Sequence, residues 1–122
     1  MKISDLFHED NSTITLYHGT CSEFAKILLA NGWQPGTAIS GANMGQSRYL
    51  YLTTDPDDAL WFAQEKGCDT VLKVSNVPIS ILKVDPEDGV GDNVYDELNS
   101  KRGLPGKVVA TSPLSKDHFS VA

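Results

Sequence analysis

The chain has no long hydrophobic run. Nowhere in its 122 residues does an apolar stretch approach the ~20 residues that a membrane-spanning helix needs. The opening MKISDLFHEDNST has no apolar middle of the kind that marks a secretory signal. The expectation is a cytoplasmic protein, or one delivered by a route that leaves no mark in the sequence, acting away from membranes. Cysteine is scarce. Cys21 and Cys68 are the only two, and they lack the CxxC spacing of metal sites. A chain of this length buries roughly two-thirds of its unfolded surface, so it needs no covalent staple. Two reduced thiols and no metal are expected. Basic residues are in the minority, 10 against 16 acidic, for a net charge of −6. That balance disfavours non-specific binding to phosphate backbones or anionic lipid. The Gly-rich stretches lack the Lys-Ser/Thr of a phosphate-binding loop, and no serine sits in a G-x-S-x-G elbow. There is no low-complexity segment, linker or repeat.

What remains is a globular composition, 40% hydrophobic and 21% charged, of the size of one domain. Residues 1–11 read as a polar lead-in to a single domain over 12–122, expected to be a monomer. STITLY alternates β-prone and polar residues, as a strand does. In TCSEFAKILLANGW, Thr20 and Glu23 have the spacing of a capping box. Phe24, Ile27 and Leu28 then share a helical face, and Gly32 ends the helix. Residues 34–47 form a long Gly- and Ser-rich loop without periodicity, a length that is usually functional or mobile. RYLYLTT is a second strand. DPDDALWFAQEKG is a second helix, with Asp55 as N-cap, Pro56 at the first position, acidic Asp57 and Asp58 on the dipole, and Gly67 closing. DTVLKVS and ISILKVD read as strands joined by NVP. PEDGVGDN is a turn, VYDELNSKRG a short helix, and KVVAT and HFSVA the last strands. Strands that follow the helices predict an α+β domain with a mostly antiparallel sheet.

The chemistry gathers at two strand ends. The first carries Tyr17, His18, Gly19 and Thr20; the second carries Tyr49 and Tyr51, two apart and so on one face. A histidine, a glycine that admits a ligand to the main chain, and tyrosine faces suit a flat, amide-bearing ring. Taken alone, His18 reads as a satisfied strand-end histidine, and Tyr49 and Tyr51 as ordinary strand aromatics. Trp33 and Trp61 read as packing residues.

LYHGTCSEFAKILLANGWQPG followed by RYLYLTTDPDDALWFA resembles the ADP-ribosyltransferase superfamily in its H-Y-[E/x] branch. That branch includes the poly(ADP-ribose) polymerases, bacterial and phage transferases and toxins, and the RNA 2′-phosphotransferases. The two blocks cover residues 14 to 63. The resemblance implies a compact fold with a split, mostly antiparallel sheet and two short helices. It implies NAD as substrate, transfer of ADP-ribose to a protein or nucleic-acid acceptor, and release of nicotinamide. His18 would hydrogen-bond the ribose 2′-hydroxyl next to nicotinamide. The Gly19 backbone would hold the carboxamide, Thr20 would support the turn, and Tyr51 would stack on the ring beside Tyr49. Arg48 would pair with the pyrophosphate, and loop 36–47 would cover the adenylate half.

The third family element is a glutamate at the start of a late strand beside the two motif strands. In SPLSKDHFSVA that register holds Asp117, which is expected to complete the catalytic set with His18 and Tyr51. His118 one position on, and Glu97 in VYDELNS, are the alternatives. A member without catalysis that binds NAD or a partner, and an RNA 2′-phosphotransferase, are the other functions the resemblance leaves open.

Overall fold

The structure is a computed structural model that describes residues 12–36, 48–99 and 103–122. The 1–11 lead-in and most of loop 36–47 lie outside the described residues. Six strands form one antiparallel sheet in the order β4-β5-β2-β1-β3-β6. They are β1 (Thr13–Thr20), β2 (Leu50–Thr53), β3 (Thr70–Pro78), β4 (Leu82–Val84), β5 (Lys107–Ala110) and β6 (Phe119–Val121). Among the described residues three helices accompany them: α1 (Ser22–Asn31), α2 (Pro56–Glu65) and the short α3 (Val94–Leu98). The α+β expectation with an antiparallel sheet holds, with α3 as a third helix. No helix among the described residues is long and apolar enough to cross a membrane.

Alternation along the strands separates the two faces of the sheet. Leu16, Leu50, Leu52, Leu72, Val74, Val108 and Ala110 point to one face. There they form the core with Ala25 and Leu28 of α1 and with Trp33, Leu114 and Phe119. Leu16, Leu28, Leu50 and Leu72 are wholly removed from water, worth about 2 kcal/mol apiece at the usual value for apolar burial. Gly32 ends α1 at φ 76°. A side chain there would also strike the Leu114 carbonyl at 2.4 Å, where Trp33 and Leu114 exchange main-chain bonds of 2.8 Å.

The opposite face carries α2, packed through Ala59 and Ala63, which are 1% and 0% exposed. Its start matches the sequence: Asp55 Oδ1 accepts from the Asp57 N–H at 2.9 Å, and Pro56 sits at the first turn. Gly19 is where α2 crosses β1. A Cβ on Gly19 would lie 1.8 Å from the Ala59 carbonyl oxygen, so this glycine admits a helix backbone, where the sequence suggested a ligand. Burial of the small faces of Ala59 and Ala63 depends on that close approach.

Three local expectations are corrected. Thr20 remains in β1, paired with Thr70. The N-cap of α1 is Cys21, without a side-chain capping bond, so no Thr20–Glu23 capping box forms. NVP is the end of β3, not a connection. Asn76 there takes φ 58° beside a shift in the β1–β3 register, so a bulge, not a loop, absorbs the irregularity. β3 and β4 are joined instead by a 3₁₀ turn at Ile79–Ile81. Finally, Cys21 and Cys68 are joined in a disulfide with a Cα–Cα distance of 5.0 Å, against the expected pair of reduced thiols. The cause is topological. Thr20 and Thr70 are paired across β1 and β3, which brings the cysteines just outside that pair within bonding reach.

Candidate functional site

β1 and β2 are neighbours, yet the one register between them among the described residues is Tyr17↔Thr53. Beyond it the strands part. The His18 side chain enters this gap, where its Nδ1 stands 2.8 Å from the Tyr51 carbonyl oxygen. A carbonyl only accepts, so Nδ1 carries the proton and donates. The neutral tautomer then leaves Nε2 as a bare acceptor. Nε2 is buried and has no partner among the described residues. His18 is 3% exposed, and its pKa falls to about 4. Burial is the main cause and the Lys66 charge adds to it, while the bond to Tyr51 opposes both. At neutral pH the group is therefore an uncharged acceptor looking for a donor.

Around this gap lies a cleft of about 270 Å³ lined by Tyr17, His18, Gly19, Tyr51, Thr53 and Phe62 among others. Part of its wall is a row across four adjacent strands. Tyr17 is paired with Thr53, Thr53 with Lys107, and the Asp85 N–H donates to the Lys107 carbonyl at 3.0 Å. Cross-strand partners share a face, and all four residues line the cleft. Tyr51 stands beside this row, 36% exposed, its ring edge-on to Tyr49 at 6.4 Å. Partial burial, and then the Glu87 and Asp85 carboxylates, raise the pKa of the Tyr51 phenol.

Charged groups at the cleft come from α2, β5 and the end of β4. Lys66 closes α2, and its Nζ lies 3.5 Å from the Gly19 carbonyl. Partial desolvation lowers its pKa. The Lys107 ammonium lies 5.1 Å from the centre of the Phe62 ring and 4.0 Å from Asp58 Oδ1. Asp58 Oδ2 is buried without a partner among the described residues. Asp85, 5% exposed, is held by two turn bonds: its Oδ1 accepts from the N–H groups of Glu87 at 2.7 Å and Asp88 at 3.1 Å. Its second oxygen has no protein donor among the described residues. Glu87 and Asp88 line the same cleft and are exposed.

The structure thus brings His18, Gly19 and Tyr51 together. It does not bring Asp117 to them. Asp117 lies in the 3₁₀ turn Lys116–His118 that precedes β6. β6 pairs with β3 at the far edge of the sheet, while the strand flanking β2 is β5. His118 shares that turn, with its Nδ1 at 2.8 Å from the Ser75 carbonyl. Glu97 is spent on structure. Its Oε1 accepts from the N–H groups of Val90 at 2.9 Å and Gly91 at 2.7 Å, and its Oε2 accepts from that of Lys107 at 2.9 Å. The position at the head of β5, beside the two motif strands, holds Lys107, and the buried carboxylate of the cleft is Asp85, one strand further out. Arg48 is exposed, and neither it, Tyr49 nor Thr20 lines the cleft.

Lys66, Lys107, Asp85 and Glu87 escaped the sequence reading. Their joint position follows from the order β4-β5-β2, which no local pattern carries; DPEDG shows only a turn. The chain was compared with protein-family models, with curated proteins and with solved structures, and none of the three comparisons gives a match.

Proposed function

We propose that this cleft binds NAD and supports transfer of ADP-ribose to an acceptor with release of nicotinamide. One observation carries the reading. His18 is locked by the Tyr51 carbonyl into the tautomer whose Nε2 only accepts, and that nitrogen is buried and unpartnered beside Gly19 and an accessible Tyr51 ring. A ribose hydroxyl is a donor that satisfies it, and the nicotinamide ring attached to that ribose has the Tyr51 face to stack on. The motif resemblance at 14–63 supports the same assignment. In this reading Asp85 supplies the carboxylate that faces the sugar as positive charge develops at its anomeric carbon. Its turn bonds hold it without reorganisation.

Titration calorimetry with NAD, together with a chromatographic assay of released nicotinamide, tests this. Binding should weaken at least tenfold in His18→Ala and in Tyr51→Ala, both folded. Asp85→Asn should retain binding and lose nicotinamide release. Unchanged binding in both His18 and Tyr51 variants would remove the reading. A second reading, a module that binds NAD without catalysis, is favoured by Lys107 at the head of β5, where the resemblance calls for a carboxylate. It predicts NAD binding with no nicotinamide release from the wild type.

A further inference from the structure

The Cys21–Cys68 bridge stands beside the cleft. Cys21 follows Gly19 by two residues and Cys68 follows Lys66 by two, and both Gly19 and Lys66 line the cleft. The turn that ends α2 is closed on itself. The N–H groups of Lys66 and Cys68 both donate to the Ala63 carbonyl, at 3.0 and 2.9 Å, and that of Gly67 donates to the Gln64 carbonyl at 2.9 Å. Cys68 Sγ lies 3.7 Å from the Lys66 carbonyl oxygen. On the other side of the bridge, the Cys21 carbonyl accepts from the N–H groups of Phe24 and Ala25 at the start of α1, at 3.1 and 2.9 Å. The bridge therefore fastens the turn that carries Lys66 to the end of β1, where the Lys66 ammonium reaches the Gly19 carbonyl at 3.5 Å.

The sheet does not depend on this bond. Breaking it removes no pairing from the β1–β3 ladder, which runs from Thr13↔Pro78 to Thr20↔Thr70, and α2 keeps its buried Ala59 and Ala63. The turn at Lys66–Cys68 is what loses an anchor. Neither cysteine is buried, so a dithiol in solution has access to the bridge. Resting on the NAD reading above, we propose that the bridge is a redox clasp on the cleft: oxidised, it holds Lys66 at the Gly19 end of β1 for an anionic ligand, and reduced by a dithiol it releases Lys66 and weakens binding while the fold persists. One thiolate of the dithiol attacks a bridge sulfur. The Cys21–Cys68 bond breaks, its electron pair leaves on the other cysteine, and a mixed disulfide forms. The second dithiol sulfur then displaces the cysteine still bound. Each cysteine takes up a proton, and the reductant leaves as a cyclic disulfide, having supplied two electrons.

The test uses the whole chain, oxidised and after treatment with dithiothreitol, with near-ultraviolet circular dichroism as the check on the fold. Calorimetric affinity for NAD should fall about fivefold on reduction, the worth of one partly exposed charge contact. Cys21→Ser/Cys68→Ser should bind as the reduced protein does, with or without the dithiol. Lys66→Gln, still bridged, should bind like the reduced wild type, and reducing it should change its affinity by less than about twofold. A bridge that served stability alone would leave affinity unchanged among folded samples, which overturns the inference. So does a reduction effect that persists in Lys66→Gln, or loss of the fold on reduction in the cold. Hydrogen exchange separates the two levels. The amides of Lys66, Gly67 and Cys68 should exchange about tenfold faster after reduction, while those of Leu72 and Val74 stay protected. Failure of NAD to bind the oxidised protein removes the reading beneath, whereas equal exchange at the turn in both states removes the clasp whatever NAD does.

Discussion

The pH dependence of stability is the most direct physical consequence of the buried imidazole. His18 has a folded pKa of about 4 against 6.5 for the free side chain. Between those values the unfolded chain takes up a proton that the folded chain refuses. Stability attributable to His18 is therefore complete above pH 6.5 and is lost as pH falls toward 4. Below that both states are protonated and the loss levels off. The gap of about 2.5 units corresponds to roughly 3 kcal/mol in total. Integrating the linkage gives a loss of about 1 kcal/mol between pH 7 and 5.5, and about 2 kcal/mol by pH 4.5. Carboxylates titrate over part of the same range, so the informative quantity is a difference. His18→Asn has an amide N–H that can serve the Tyr51 carbonyl but no group that titrates. Urea unfolding of both proteins at pH 7, 5.5 and 4.5, without reductant, yields that difference. The wild type should lose stability relative to His18→Asn by the amounts above. A difference that stays flat to within ~0.5 kcal/mol across this window would refute the argument that His18 is buried, neutral and closed to a second proton.

Other expectations follow from the packing. Gly19→Ala would set its new Cβ against the Ala59 carbonyl and force α2 away; about 3 kcal/mol of destabilisation is expected, read as a fall in Tm of roughly 10 °C. An unchanged Tm with lost NAD binding would instead return Gly19 to a ligand role. Glu97→Gln keeps the shape but replaces one accepting oxygen with a donor, facing either the Val90 and Gly91 N–H groups or that of Lys107. A cost of about 2–4 kcal/mol in urea unfolding is expected, and a loss under ~0.5 kcal/mol would mean that the latch is dispensable. The Cys21–Cys68 bridge spans 47 residues of sequence, and the chain-entropy estimate for such a loop is about 4 kcal/mol. Cys21→Ser/Cys68→Ser should lower stability by up to that amount, and adding a reductant to the wild type should reproduce the effect.

What the sequence discloses here is local and what it withholds is long-range. Asp55, Gly32 and Gly67 act within a few residues of themselves, so the limits of α1 and α2 can be read from them. Period-two alternation finds the strands but not their neighbours. Asp117 was assigned to the cleft on the premise that the last strand lies beside the motif strands. In the fold β5 flanks β2 and β3 flanks β1, and β6 lies beyond β3. The same ignorance of strand order hid the row Tyr17, Thr53, Lys107 and Asp85, and the closeness of the two cysteines. His18, Gly19 and Tyr51 were found because each sits in a short motif. The second demand on Gly19, room for α2, is not legible there because α2 begins 37 residues later.

The single pairing of Tyr17 with Thr53 has a mechanical consequence. The sheet consists of two three-stranded panels, β4-β5-β2 and β1-β3-β6, each with its own continuous ladder. Within the sheet, the described residues join them by one residue pair and the His18–Tyr51 bond, while a shared core holds them from one face. Opening or narrowing the space beyond that pair therefore breaks no ladder bond in either panel. α2 lies across the seam, packed against β1 and β2. In the NAD-binding reading proposed above, a ligand that spread the strands beyond that pair would load the His18–Tyr51 bond first. The jaw and its sensor are thus the same contact.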